Sequence, residues 1–214
     1  MEEMLLRIDT HVHTTNSPDG SVEAGQIPQV LRVKRLDGVA VTDHDRFFDQ
    51  KIQGIIVIPG IEVSTKQGHL LGLGDVGEIS TGLSVDETVR IIHSRGGLAI
   101  LAHPYDIIRG GIRPTQVSER LNGIETINSK AHPYSLSKRL AEKAAKELSV
   151  PMFGGSDSHT LETIGDGYTC IESRSGSVAD ILHAMNTGKV YARGGPSGGI
   201  KQLKRVGAAI RRRL

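Results

Sequence analysis

Short apolar runs rich in β-branched residues alternate along this chain with stretches whose apolar residues recur every three or four positions. MLLRID, GVAVTD, IIVIPGIEV, GLAILAHP, GIETIN, PMFGGSD, GYTCIE and KVYARG are of the first kind and predict strands. A turn at Lys66-Gln-Gly68 predicts that the third strand folds back through HLLGLG as a hairpin. The second kind predicts helices over about 22–35, 115–121, 134–148 and 178–187. Another is predicted from Ser84-Val-Asp-Glu87, where a capping box precedes Val85, Val89 and Ile92 on one face, and Gly96-Gly97 ends it. In 134–148, Leu136, Leu140, Ala144 and Leu148 recur every four residues with Lys, Arg and Glu on the other faces.

Strand–helix units with short connections predict a parallel sheet covered by helices, either open or closed into a barrel. The polar residues decide between the two. His11 and His13 follow the first strand, Asp43-His44-Asp45 the second, Glu62 the third, His103 the fourth and Asp157-Ser-His159 the strand after the long helix. In a barrel of such units the carboxyl ends of all strands share one mouth. An open sheet gathers residues chiefly at its switch point. The pattern therefore predicts an α/β fold of barrel type, TIM-like, in one domain. No repeat or linker interrupts 1–194, and 195–214 reads as a basic tail. In that tail Ile200, Leu203, Val206 or Gly207, Ile210 and Leu214 fall at helical spacing, which predicts a docked helix.

Composition narrows the chemistry. With 214 residues, 37% hydrophobic and 23% charged, the chain is long enough for one sizeable core. No apolar stretch approaches the roughly 20 residues of a bilayer helix, and MEEMLLRID has neither the basic start nor the apolar middle of a signal peptide. These readings predict a cytoplasmic protein without membrane contact. Cys170 is the only cysteine, so a metal would sit on nitrogen and oxygen. The net charge of +2 conceals six basic residues and no acid from Ile200 onward, which leaves 20 basic against 24 acidic residues in the remainder. With three Phe, four Tyr and no Trp, the body also lacks platforms for stacking bases. Nucleic acid remains conceivable through the tail, but a small phosphorylated substrate is the favoured partner.

On a strand, residues i and i+2 project to the same side, so His11 and His13 can present two imidazoles to one ion while Val12 packs behind, and Asp157 with His159 repeats the device. His11, His13, Asp19, His44, Glu62, His69, His103, Asp157 and His159 exceed the four to six positions around one transition metal. Two or three divalent ions sharing carboxylates are implied, with zinc, manganese and iron hard to separate in a site without thiolate. His93, His132 and His183 lie outside the pattern and read as surface or packing residues.

Taken together, DTHVHTTNSPDG, VTDHD, GIEVS followed by GHLLG, AHP, GIETIN and GGSDSH resemble the polymerase and histidinol phosphatase (PHP) family of metal-dependent phosphoesterases, over about residues 8–194. The resemblance implies a distorted seven-stranded β/α barrel with a trinuclear metal centre. It assigns His11, His13, Glu62 and Asp157 to one ion, Glu62, His69 and His103 to a second, and Asp19, His44 and His159 to a third. The short connection between Leu73 and Leu98 leaves little material for the lid of some relatives, so their substrates do not transfer.

The chemistry so implied is hydrolysis of a phosphate ester by a metal-bound hydroxide, with Asp19 or His159 relaying a proton to the leaving group. Arg46, Lys66, Asn128 and Lys130 follow strand ends and are candidates for holding the substrate phosphate; the resemblance itself places an asparagine at position 128. Asp43 is a candidate to orient His44. A small-molecule phosphomonoesterase is the leading expectation. A nuclease and a non-catalytic module docked on a polymerase are the alternatives, the complete ligand set favouring an enzyme over the module.

Overall fold

Pro59 has no N–H for a ladder and fixes its own φ, and at this residue the run IIVIPGIEV divides into two strands that join different sheets. The structure, a computed structural model, describes residues 3–109 and 111–198. Its elements in chain order are β1 (Met4–Val12), α1 (Ile27–Lys34), β2 (Gly38–Val41), β3 (Ile56–Ile58), β4 (Gly60–Ser64), β5 (His69–Leu73), α2 (Val85–Ser94), β6 (Leu98–Leu101), β7 (Gly123–Asn128), α3 (Tyr134–Leu148), β8 (Met152–Gly155), β9 (Gly167–Ser173), α4 (Val178–Asn186) and β10 (Val190–Gly194).

The expected seven-stranded β/α barrel is not what the chain builds. Two mixed sheets of five strands form, in the orders β10-β9-β1-β2-β3 and β4-β5-β6-β7-β8, with four α-helices among the described residues. A barrel of βα units needs a crossover helix after each strand. Here β5 lies antiparallel between β4 and β6, and β9 lies antiparallel between β1 and β10. The expected hairpin at Lys66–Gly68 is present, pairing Ser64 with His69. The expected helix over 115–121 is reduced to a single 3-10 turn at Pro114–Gln116.

Period-two alternation sorts the strand side chains into three apolar layers. Leu6, Ile8, Ala40 and Ile58 of one sheet face Leu71, Leu73, Ile100 and Phe153 of the other, with Ile181 and Met185 of α4 closing this inner layer. Their strand neighbours Val39 and Val41, with Val12 beyond a register shift in β1, pack outward with Ile27 and Leu31 of α1. Ile61, Val63, Leu70, Ala99 and Leu101 pack outward beneath α2 and α3. In α3 the buried face is Ser137, Ala141, Ala144 and Ala145, whereas Leu136 and Leu148 are 41% and 50% exposed. Of the predicted stripe Ala144 is buried and Leu140 half-buried, while Leu136 and Leu148 lie outside the contact, where small residues let the helix approach β7 closely.

The capping box of α2 is formed, Ser84 Oγ accepting from Glu87 N at 3.3 Å and Glu87 Oε2 accepting from Ser84 N at 2.9 Å. Ser84→Ala is expected to cost about 1 kcal/mol of unfolding free energy, checked as a lower urea midpoint at unchanged slope. From residue 199 onward the tail, with its expected docked helix, lies outside the described residues. Just before it, Ser197 N donates to Ser129 O at 2.8 Å and Ser197 Oγ to Asp166 Oδ2 at 3.0 Å.

Candidate metal centre

The two sheets are joined beside one another by backbone bridges at Val12–Ser158 and His44–Glu62. His13 N donates to Ser158 O at 2.9 Å, Asp45 N to Glu62 O at 2.9 Å and Glu62 N to Asp43 O at 3.1 Å. The seam therefore brings β1, the β2 end, β4 and the β8 end together, and with them the side chains picked out in the sequence. Asp9, which opens the DTHVH motif, braces the same seam by accepting from Ser156 N, Ser156 Oγ and Gly165 N at 2.9, 2.5 and 2.7 Å. Burial pushes its carboxyl up to about 6, against the pull of these hydrogen bonds.

Glu62, fully buried, is the hub. Its Oε2 lies 3.2 Å from His11 Nε2, 3.2 Å from His13 Nε2 and 3.1 Å from His44 Nδ1. Its Oε1 lies 3.2 Å from His69 Nδ1 and 3.1 Å from His103 Nε2. Glu62 Oε2, His11 Nε2 and His13 Nε2 are buried and have no hydrogen-bond partner despite this closeness. Buried polar atoms left so are costly, and a shared cation would satisfy all three. Three sets of donor atoms have the mutual spacing for an ion: His11, His13 and Glu62; His44, Glu62 and His69; and His13, His44 and His159. Imidazole nitrogen with carboxylate oxygen is a donor set suited to zinc, manganese or iron.

Asp157 and His159 complete the cluster from the β8 end. Asp157 Oδ1 is 3.5 Å from His13 Nε2 and 3.5 Å from His159 Nδ1, and Asp19 Oδ2 is 2.9 Å from His159 Nε2 at the mouth, where the Asp19 side chain is 45% exposed. His103 and Asp157 adopt left-handed backbone, with φ of 28° and 53°. For non-glycine residues this conformation costs of order 1 kcal/mol or more and is concentrated at functional sites. Although burial pushes Glu62 up, the charges of His11 and His44 hold it well below the carboxylate range. Burial lowers His44 to about 4 and His159 to about 3, so both imidazoles keep a lone pair at neutral pH.

All nine expected ligands thus converge on this seam. Of the expected phosphate-holding residues, Asn128 and Lys130 are in it: Asn128 Nδ2 donates to Asp157 Oδ2 at 3.0 Å, and Lys130 Nζ lies 3.3 Å from Asp157 Oδ1. Arg46 and Lys66 are exposed, and neither side chain makes a hydrogen bond or ion pair among the described residues. Asp43 does not orient His44; its carboxylate accepts from Thr14 N at 2.5 Å and Thr14 Oγ1 at 2.7 Å, fixing the loop after β1. His93 bonds Asn122, 2.8 Å away, well outside the cluster.

Sequence reasoning missed two supporting residues. Glu125, buried in β7, lies 3.0 Å from His11 Nδ1 and accepts from His103 N at 2.8 Å and Asn128 Nδ2 at 2.9 Å. A carboxylate between Ile124 and Ile127 of the GIETIN strand was its signal. Arg109 donates to Asp157 Oδ2 and is held by Asp106, which accepts from Arg109 Nε at 2.9 Å and Nη2 at 2.6 Å. It lies in an irregular loop whose sequence carried no signal.

Comparison with known proteins places this arrangement. The model of the PHP-associated family matches residues 136–190. An uncharacterized protein of Methanocaldococcus jannaschii, MJ1587, is 30% identical over 165 residues, which is 69% of this chain and 96% of the relative. A two-domain Bacteroides vulgatus protein described as containing a predicted PHP-like metal-dependent phosphoesterase superposes with a TM-score of 0.66 at 17% identity, over 90% of this chain and 66% of the other. The lesion-specific endonuclease PfuEndoQ of Pyrococcus furiosus superposes with a TM-score of 0.61 at 15% identity, over 88% of this chain and 58% of the other. Such identities speak to the fold, while the motifs, the family match and the archaeal relative speak to descent: the chain belongs to the polymerase and histidinol phosphatase (PHP) domain family.

Proposed function

We propose that this protein hydrolyses phosphate esters with divalent cations held by His11, His13, Asp19, His44, Glu62, His69, His103, Asp157 and His159. The observation that carries the reading is the buried Glu62 carboxylate ringed by five imidazole nitrogens, two of them without a hydrogen-bond partner. Bound there, divalent cations supply an activated water and counter-charge for a phosphoryl group. The chain's own residues do the rest. Glu125 fixes the His11 ring through Nδ1, turning Nε2 inward. Arg109 and Asn128 hold the Asp157 carboxylate from its outer oxygen. Asp19 and His159, 2.9 Å apart at the half-open mouth, are placed to relay a proton from solvent to the leaving oxygen.

A small phosphomonoester is the favoured substrate, on the composition of the body. A phosphodiester of nucleic acid is the second reading, supported by the likeness in fold to PfuEndoQ and by the basic residues from Lys201 to Arg213. The metal-reconstituted protein, assayed against nucleotides, sugar phosphates and short oligonucleotides, separates them. Release of inorganic phosphate without chain shortening is the expected result. Shortened oligonucleotides would transfer the reading to the nuclease, and inertness toward every substrate with metals verified would end it. No helix among the described residues is long and apolar enough to cross a membrane.

A further inference from the structure

Lys130 enters the cluster from the end of β7 with its backbone fixed on both sides, its N–H donating to Asn128 Oδ1 at 3.0 Å and its carbonyl 2.9 Å from His132 Nδ1. The stem therefore leaves in one direction, toward the seam, and the side chain is only 10% exposed. Nζ lies 3.3 Å from Asp157 Oδ1 and 3.3 and 3.2 Å from the two ring nitrogens of His159. The oxygen it engages is the one that faces the imidazoles, since Oδ2 is taken by Arg109 and Asn128 on the other side.

A lysine ammonium is a compact point charge with three donors. Placed on a carboxylate oxygen and beside an imidazole, it meets the same demand for positive charge that a divalent ion would meet there. An ion drawing on both Asp157 Oδ1 and His159 must displace it, or share a low-dielectric space with a like charge. The ion-sized donor set that includes His159 draws its other donors from His13 and His44 and does not need Asp157.

We propose that Lys130 is a resident cation of the centre, holding Asp157 and His159 in place of one divalent ion, so that the chain loads fewer ions than its nine donors could take. The inference rests on the metal-dependent reading above and refines it by fixing how many ions the centre accepts.

Equilibrium dialysis of the chelator-stripped full chain against Mn2+ alone, with bound metal counted by elemental analysis, tests it. Wild type is expected to hold at most two ions tightly. Lys130→Gln is expected to gain one further ion per chain, or to bind its weakest ion at least tenfold more tightly, while Lys130→Arg stays at the wild-type number because it keeps the charge. Three tightly held ions in wild type overturn the proposal without any variant having to fold. Equal stoichiometry and affinity in wild type and a folded Lys130→Gln also overturn it. A wild-type chain that takes up no ion would instead sink the hydrolase reading itself.

Discussion

Glu62→Gln is expected to lower kcat/KM on any accepted phosphate ester by about 10³-fold and to abolish tight metal uptake. The substitution preserves shape but removes the only carboxylate in contact with all five imidazoles. Breaking a buried charged pair from one side costs about 3–5 kcal/mol, and each 1.4 kcal/mol is about tenfold in an equilibrium constant. The amide also brings an NH2 group toward nitrogens that are to present lone pairs. Thermal unfolding offers a readout independent of turnover. Metal at about 100 times its Kd adds about 2.7 kcal/mol to the stability of a protein that binds it only when folded. In a chain of this size that is a rise of roughly 5–10 °C in Tm. Wild type should show the rise and Glu62→Gln should not, with similar far-ultraviolet circular dichroism for both metal-free proteins. A variant that keeps the metal-dependent rise and the turnover would remove Glu62 from the centre.

The convergence of histidines was legible in the sequence because it depends on local facts. A strand puts His11 and His13 on one side, and a residue just past a strand end stands near its neighbours' ends whether or not the sheet closes. That second fact explains how a correct gathering of residues came with the wrong architecture. The barrel inference kept the predicted hairpin at Lys66–Gly68 as an exception and took the remaining strands to run parallel with helices between them, and apolar periodicity says nothing about strand direction. Pro59 was the cue to the division of one run between two sheets, and the short turn at Lys66–Gly68 the cue to antiparallel pairing. In α3, periodicity found the helix and Ala144 but not the whole buried face, because close packing on β7 favours Ala141 and Ala145 beside it over the larger Leu136 and Leu148. Asn128 and Lys130 were reachable through the strand end they follow. Arg109 was not, since its placement depends on Asp106 accepting from Ile108 N and Arg109 N in a loop without regular structure.

Glu125→Gln is expected to weaken metal binding by about 10- to 100-fold, the range found when a partner of a metal-bound histidine is lost, although Glu125 does not face the cluster's interior. Its two oxygens serve three nitrogens: His11 Nδ1 at one, His103 N and Asn128 Nδ2 at the other. A carboxylate can accept from all three, whereas glutamine has a single acceptor oxygen. If that oxygen turns to His11, the new NH2 faces two donors. If it turns the other way, the NH2 faces His11 Nδ1, favouring a tautomer with the proton on Nε2, where the lone pair is needed. In the first orientation two buried donors lose their acceptor, at a cost of about 1–3 kcal/mol, so the metal-free Tm should fall with the affinity; in the second only the affinity falls. Glu62→Gln, which breaks buried pairs with five imidazoles, should lower the metal-free Tm too; what separates the two variants is metal uptake, weakened in Glu125→Gln and abolished in Glu62→Gln. Isothermal titration with Zn2+ alone, beside thermal unfolding of the stripped protein, reads both quantities. Wild-type affinity together with a wild-type metal-free Tm would mean that the His11 ring is oriented by something other than Glu125.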